Sequence, residues 1–146
     1  MGLDMFLTGK RYLWGQGNDT EVAQAISKLL PETMGKRVKE ISVEAGYWRK
    51  ANAIHAWFVK HVQGGTDDCG EYIVSNEQLE ELRDLVKQVL ADHSKAPELL
   101  PFQGGFFFGD TTYNEWYFND LDETQAIIDS ALAFGAGWDF YYQASW

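Results

Sequence analysis

A chain of 146 residues with a net charge of −10, 45% of them hydrophobic and 15% aromatic, has ample apolar material for one folded core. It carries too much negative charge for bulk nucleic-acid binding through phosphates. Its single cysteine, Cys69, excludes an internal disulfide, and no apolar run approaches the ~20 residues that cross a bilayer.

In chain order, residues 3–14 read as an opening strand covered on both faces, because apolar Leu3, Met5 and Leu7 alternate with Asp4, Phe6 and Thr8. Asp4 and Lys10-Arg11 interrupt the start, so no signal peptide is expected, and a reducing cytoplasm is the expected location. A turn at 15–18 leads to a helix capped by Asp19 or Thr20 and stopped by Pro31. Its inner face is Val22, Ala25, Ile26 and Leu29. Residues 36–45 alternate as a strand with a slip between Val38 and Ile41 that suggests a bulge.

Residues 46–62 predict the helix on which the rest is organised. At 100° per residue, Tyr47, Ala51, Ile54, Phe58 and Val62 form the core stripe. Trp48, Asn52 and His55 fall on one shoulder, and Lys50, Trp57 and His61 on the other. A polar loop at 63–70 precedes a short strand at 71–74, and Ser75 with Gln78 makes a capping box. The next helix has Leu79, Leu82, Val86, Val89 and Leu90 inward. Phe106–Phe108 reads as a short strand and residues 113–118 as either a second strand, forming a hairpin with it, or a helix entry; Asp120 reads as the cap of a last helix through about Phe134, and residues 138–146 as a closing strand.

Three groupings carry chemistry. Trp48, Asn52 and His55 set an indole, an amide and an imidazole at helical spacing, which suits a planar polar ligand; His55 is also a candidate general base. Asp67, Asp68 and Cys69, with His55 and His61 upstream, are metal-ligand types, but their spacing matches no structural zinc pattern. Asp110, Tyr113, Glu115, Trp116 and Tyr117 place two carboxylates and three aromatic rings within eight residues. No phosphate-cradling glycine loop, zincin motif, nucleophile elbow or dinucleotide fingerprint is present.

The segments Gly2-Leu-Asp-Met-Phe-Leu7, Tyr47-Trp-Arg-Lys-Ala-Asn-Ala-Ile-His55, Asp67-Asp-Cys69, Gly105-Phe-Phe-Phe-Gly109, Glu115-Trp-Tyr117 and Tyr141-Tyr-Gln-Ala-Ser-Trp146 resemble a family of small proteins carried by bacteriophages and bacteria. The resemblance covers most of the chain apart from residues 21–30. It implies a cytoplasmic, phage-type protein, with phage–host conflict as its context, and names no reaction and no cofactor.

The expectation is a single α+β domain over residues 1–146, a mostly antiparallel sheet with three or four helices packed on it. The leading functional expectation is a binding module, without catalysis, for a small polar, nucleotide-like ligand. In it Trp48 and Trp116 stack, Arg49 and Lys50 supply charge, and Asn52, His55, Asp110, Tyr113, Glu115 and Tyr117 complete the site. Two alternatives accompany it. One is an acidic inhibitor covering a basic host protein with residues 110–129. The other is a hydrolase using His55 with Asp67, Asp68 or Glu115 and a divalent metal.

Overall fold

The computed structural model describes residues 2–15, 17–30, 38–105 and 111–146. The expected strand at Phe106–Phe108 and the site residue Asp110 lie outside the described residues. Four strands, β1 (Asp4–Tyr12), β2 (Glu40–Arg49), β3 (Tyr72–Val74) and β4 (Asp139–Ser145), form an antiparallel sheet in the order β2-β1-β4-β3. Five α-helices are described: α1 (Asn18–Ser27), α2 (Asn52–His61), α3 (Asn76–Ala91), the four-residue α4 (Ala96–Leu99) and α5 (Glu115–Leu132). The fold is therefore the expected α+β class, with one short helix more than expected.

Strand β1 is central, and its period-2 pattern explains why. Met5 and Leu7, with Leu3 just before the strand, are fully buried against the helices, while Phe6, Thr8 and Lys10 on the other face are only half-buried. Among the described residues no helix buries that second face, contrary to the two-sided reading. It carries the Phe6–Tyr47 ring pair and an exposed Ile73. A one-sided antiparallel sheet needs helices on one face only. The core unites Leu3, Met5, Leu7, Trp48, Phe140 and Tyr142 from the sheet side with Ile54 and Phe58 of α2, Leu82 and Val86 of α3, and Leu121 and Ile128 of α5. The ring of Phe58 stacks on that of Tyr142 with centroids 3.9 Å apart.

The largest departure from the sequence reading lies at residues 46–51. The chain does not enter a helix at Tyr47; β2 continues to Arg49, with Tyr47 opposite Phe6, Trp48 opposite Met5 and Arg49 opposite Asp4. Alternation fits these residues as well as a helical period does. Gly46 and Trp48 point inward and Tyr47 and Arg49 outward. Tyr and Trp favour a pleated, paired surface, and the β1 partner decides the outcome. Tyr47 is consequently exposed rather than part of a core stripe, and its hydroxyl donates to Asp4.

The bulge is also displaced from the expected site. It lies where Leu7/Thr8 face Gly46 and Glu44, leaving Ala45 extra. Gly46 is required there by packing, since a Cβ would collide with Ile127 Cγ2 of α5.

Lys50 then turns the chain with φ +58°, its N–H bonded to Leu3 O at 2.8 Å, and Asn52 N–H closes back on Lys50 O at 2.8 Å. A lysine in the left-handed region carries strain of order 1 kcal/mol, held here by the strand on one side and the helix on the other.

The remaining elements follow their local signals. The Ser75/Gln78 capping box opens α3, whose Leu79, Leu82, Val86 and Val89 are buried. Gly135 and Gly137, with φ of 80° and 89°, end the last helical segment and release β4. The cap of α1 differs from expectation: Asp19 accepts from Arg11 at 2.7 Å and from Trp14 N–H at 3.1 Å instead of capping its own helix. No residue of α1's expected inner face is fully buried, and Leu29 is exposed.

Of the two readings of residues 113–118, the helix entry holds: they begin α5, capped by Asn114, whose Oδ1 accepts from Tyr117 N–H at 3.2 Å. Asp120 therefore sits inside the helix rather than at its cap.

Candidate functional site

The turn at Lys50 aims the end of β2 and the start of α2 toward the start of α5. Between them, among the described residues, lies a cleft of about 290 Å³. Arg49, Lys50, Asn52 and Ile54 line one side, and Thr112, Asn114, Trp116, Tyr117, Asp120 and Leu121 the other. This volume is near the lower end of the ~300–1,000 Å³ typical of small-molecule sites.

Five of the expected site residues thus meet in one place: Arg49, Lys50, Asn52, Trp116 and Tyr117. They come from two segments more than sixty residues apart in sequence.

Each brings a distinct group. Arg49 and Lys50 are exposed, and neither has an ion-pair partner among the described residues. Trp116 is 75% exposed, an unusual state for an indole in a chain with a well-filled core. Tyr117 contributes ring surface only. Its hydroxyl is buried and donates to Leu100 O at 2.7 Å, and burial, then the neighbouring Tyr113, pushes its pKa up. Asn52 is buried, and its Oδ1 accepts from Gln103 N–H at 3.3 Å. The start of α2 has no side-chain cap, and its first residues line the same cleft, which brings the positive end of the helix dipole to it.

Asp120 is the residue that the sequence reading did not place here. Its carboxyl makes no hydrogen bond or ion pair among the described residues and lines the cleft. Burial, then the charge of Glu123, pushes its pKa up to about 7. Once α5 is known to begin at Glu115, Trp116 and Asp120 stand at i and i+4 on one face. That spacing was the available signal, hidden by reading Asp120 as a cap.

The other expected residues lie elsewhere. Trp48 is 1% exposed and donates from Nε1 to Thr124 Oγ1 at 2.9 Å, so it is a core residue and presents no face to the cleft. Tyr113 packs between the rings of Phe102 and Tyr117, and Glu115 is exposed at the first turn of α5; neither lines the cleft.

His55 is fully buried, with Nδ1 2.7 Å from Tyr142 OH and Nε2 3.0 Å from Asp67 Oδ1. The consistent proton arrangement has Tyr142 OH donating to Nδ1 and Nε2–H donating to Asp67. Burial lowers the pKa of His55, and the charge and hydrogen bond of Asp67 oppose that shift without cancelling it.

The candidate metal ligands are engaged with protein donors. Asp67 also accepts from Trp146 Nε1–H at 3.2 Å, and Asp68 accepts from Gly70 N–H at 2.8 Å and Tyr72 OH at 2.9 Å. Among the described residues no three His, Cys, Asp or Glu side chains converge as a metal site, and no helix is long and apolar enough to cross a membrane.

In comparison with known proteins, no family model, curated protein or solved structure matches this chain.

Proposed function

We propose that this single-domain chain is a non-catalytic binding protein for a small, planar, anionic ligand of nucleotide type, held in the cleft between the β2–α2 turn and α5. The observation that carries this reading is the meeting of two cations, Arg49 and Lys50, which have no ion-pair partner among the described residues, with the exposed indole of Trp116 in one cleft. Stacking on an aromatic face contributes roughly 1–3 kcal/mol per base, and a cation pair complements a phosphate. The start of α2, which has no side-chain cap, adds the positive end of its dipole on the same side. A cytoplasmic, phage-type setting agrees with the family resemblance and with the lone cysteine.

The hydrolase alternative has less support. Its base, His55, is sealed from solvent by Tyr142 and Asp67 and lies outside the cleft lining.

Calorimetric titration with a panel of nucleoside monophosphates tests the proposal. Wild type should bind at least one of them. Lys50→Ala and Trp116→Ala should each weaken that binding by about tenfold or more, with unchanged far-ultraviolet circular dichroism. Lys50→Gly should weaken binding as much as Lys50→Ala and raise stability slightly, because glycine adopts φ +58° without strain. Equal affinities in wild type and both alanine variants would remove the cleft from consideration.

A further inference from the structure

The chemistry of the cleft is lopsided. Arg49 and Lys50 stand on the β2–α2 side, and a carboxyl with no described partner, Asp120, stands on the α5 side one helical turn from Trp116. A phosphate is drawn to the first pair and repelled by the last. The polar edge of a base stacked on Trp116 therefore falls to Asp120.

We propose that the cleft selects a guanine-type nucleoside monophosphate, with the Asp120 carboxylate accepting two parallel N–H bonds from the base edge. This rests on the reading of the cleft as a nucleotide site and adds the identity of the base.

A carboxylate presents two acceptors side by side and no donor. Guanine offers a ring N–H next to an exocyclic amino group, two adjacent donors that match it. Adenine and cytosine each offer one amino donor beside a ring-nitrogen acceptor, and uracil offers one N–H between two carbonyls. Each of these sets at least one lone pair against the carboxylate. A cleft of about 290 Å³ and two cations suit one base and one phosphate rather than a dinucleotide.

The preference follows the charge on Asp120. Among the described residues, the charge that acts on it is Glu123 on its own helix, and Arg49 and Lys50 line the same cleft opposite. Burial and Glu123 together set its ionisation at about 7. Above that pH the carboxylate is a double acceptor. Below it the protonated carboxyl is a donor beside an acceptor, which is the pattern adenine's edge accepts. Phosphate ionisation is shared by the two nucleotides, so their affinity ratio reports the base alone.

The test is calorimetric titration of the full chain with guanosine and adenosine monophosphate at pH 8 and pH 5.5, repeated with Asp120→Asn and Lys50→Ala. The expected result is guanosine monophosphate tighter by about tenfold or more at pH 8, as for a bidentate base contact. The ratio should shrink at pH 5.5, and it should collapse or invert in Asp120→Asn, whose amide pairs with adenine's edge. If the two nucleotides bind equally in wild type and both are weakened by Lys50→Ala, the base assignment is overturned while the nucleotide site stands. If neither binds, both are overturned. The wild-type ratio alone decides the matter should the Asp120 variant fold poorly.

Discussion

Trp48→Ala is expected to lower stability by about 3–5 kcal/mol, the range for deleting a large buried aromatic. That is a large fraction of the ~5–15 kcal/mol that holds a typical domain together. The indole is 1% exposed, meets Phe58 edge-on at 5.9 Å, and donates to Thr124 Oγ1. Thr124 in turn donates to the carbonyl of Asp120 at 2.6 Å, so the bond from Trp48 joins β2 to the turn of α5 that carries the Asp120 carboxyl. Trp48→Phe should keep the fold at a cost of about 1–2 kcal/mol, from the lost hydrogen bond and the smaller ring. Urea denaturation with parallel circular dichroism and fluorescence checks both variants. A Trp48→Ala protein of wild-type stability would place the indole outside the core.

The second large effect is expected at His55. His55→Phe keeps a ring in the site but leaves the buried Tyr142 hydroxyl without its acceptor and takes from Asp67 the imidazole donor, at a cost of roughly 2–3 kcal/mol.

The pH dependence has a definite sign. Burial holds the folded pKa of His55 below its ordinary 6.5. Its contribution to stability is therefore fully present above pH 6.5 and is lost as pH falls through the folded value. Asp120 acts oppositely, because its pKa is raised from 3.8 to about 7. Its contribution is present below pH 3.8 and is lost as pH rises through 7. The two oppose each other on the acid side of neutrality. Asp120→Asn should steepen the loss of stability between pH 6.5 and 4, and His55→Phe should flatten it. Chemical denaturation midpoints across that range test both signs, and an unchanged slope in His55→Phe would show that the imidazole does not titrate with folding.

Much of this architecture can be read from periodicity alone. Alternation in residues 3–7 gives β1, the Ser75/Gln78 box and the leucine–valine stripe give α3, and Gly135 and Gly137 mark the end before β4. What periodicity does not resolve is the stretch Gly46–Lys50, where four or five residues satisfy both a helical and a strand pattern and only pairing with β1 decides. That ambiguity moved Trp48 from a shoulder of a helix into the core and Tyr47 from the core to the surface.

The site was half accessible in the same way. The two cations at 49–50 and the indole at 116 are visible as residue types, one kind in each segment. Their meeting depends on a left-handed lysine and on where α5 begins, and neither follows from local spacing. Asp120 is hidden in the sequence because an acid followed three residues later by Glu123 imitates a cap. His55 stays ambiguous in sequence because an imidazole at an apolar edge looks the same whether it faces a ligand or a buried tyrosine.

The most direct test of the cleft as a ligand site is an amide-resolved NMR titration of the full chain with guanosine monophosphate. Saturable shifts concentrated at residues 49–54 and 112–121, with the Trp116 side-chain N–H among the largest, are the expected result. Absence of saturable shifts, or shifts centred on the open sheet face around Phe6 and Tyr141, would contradict it.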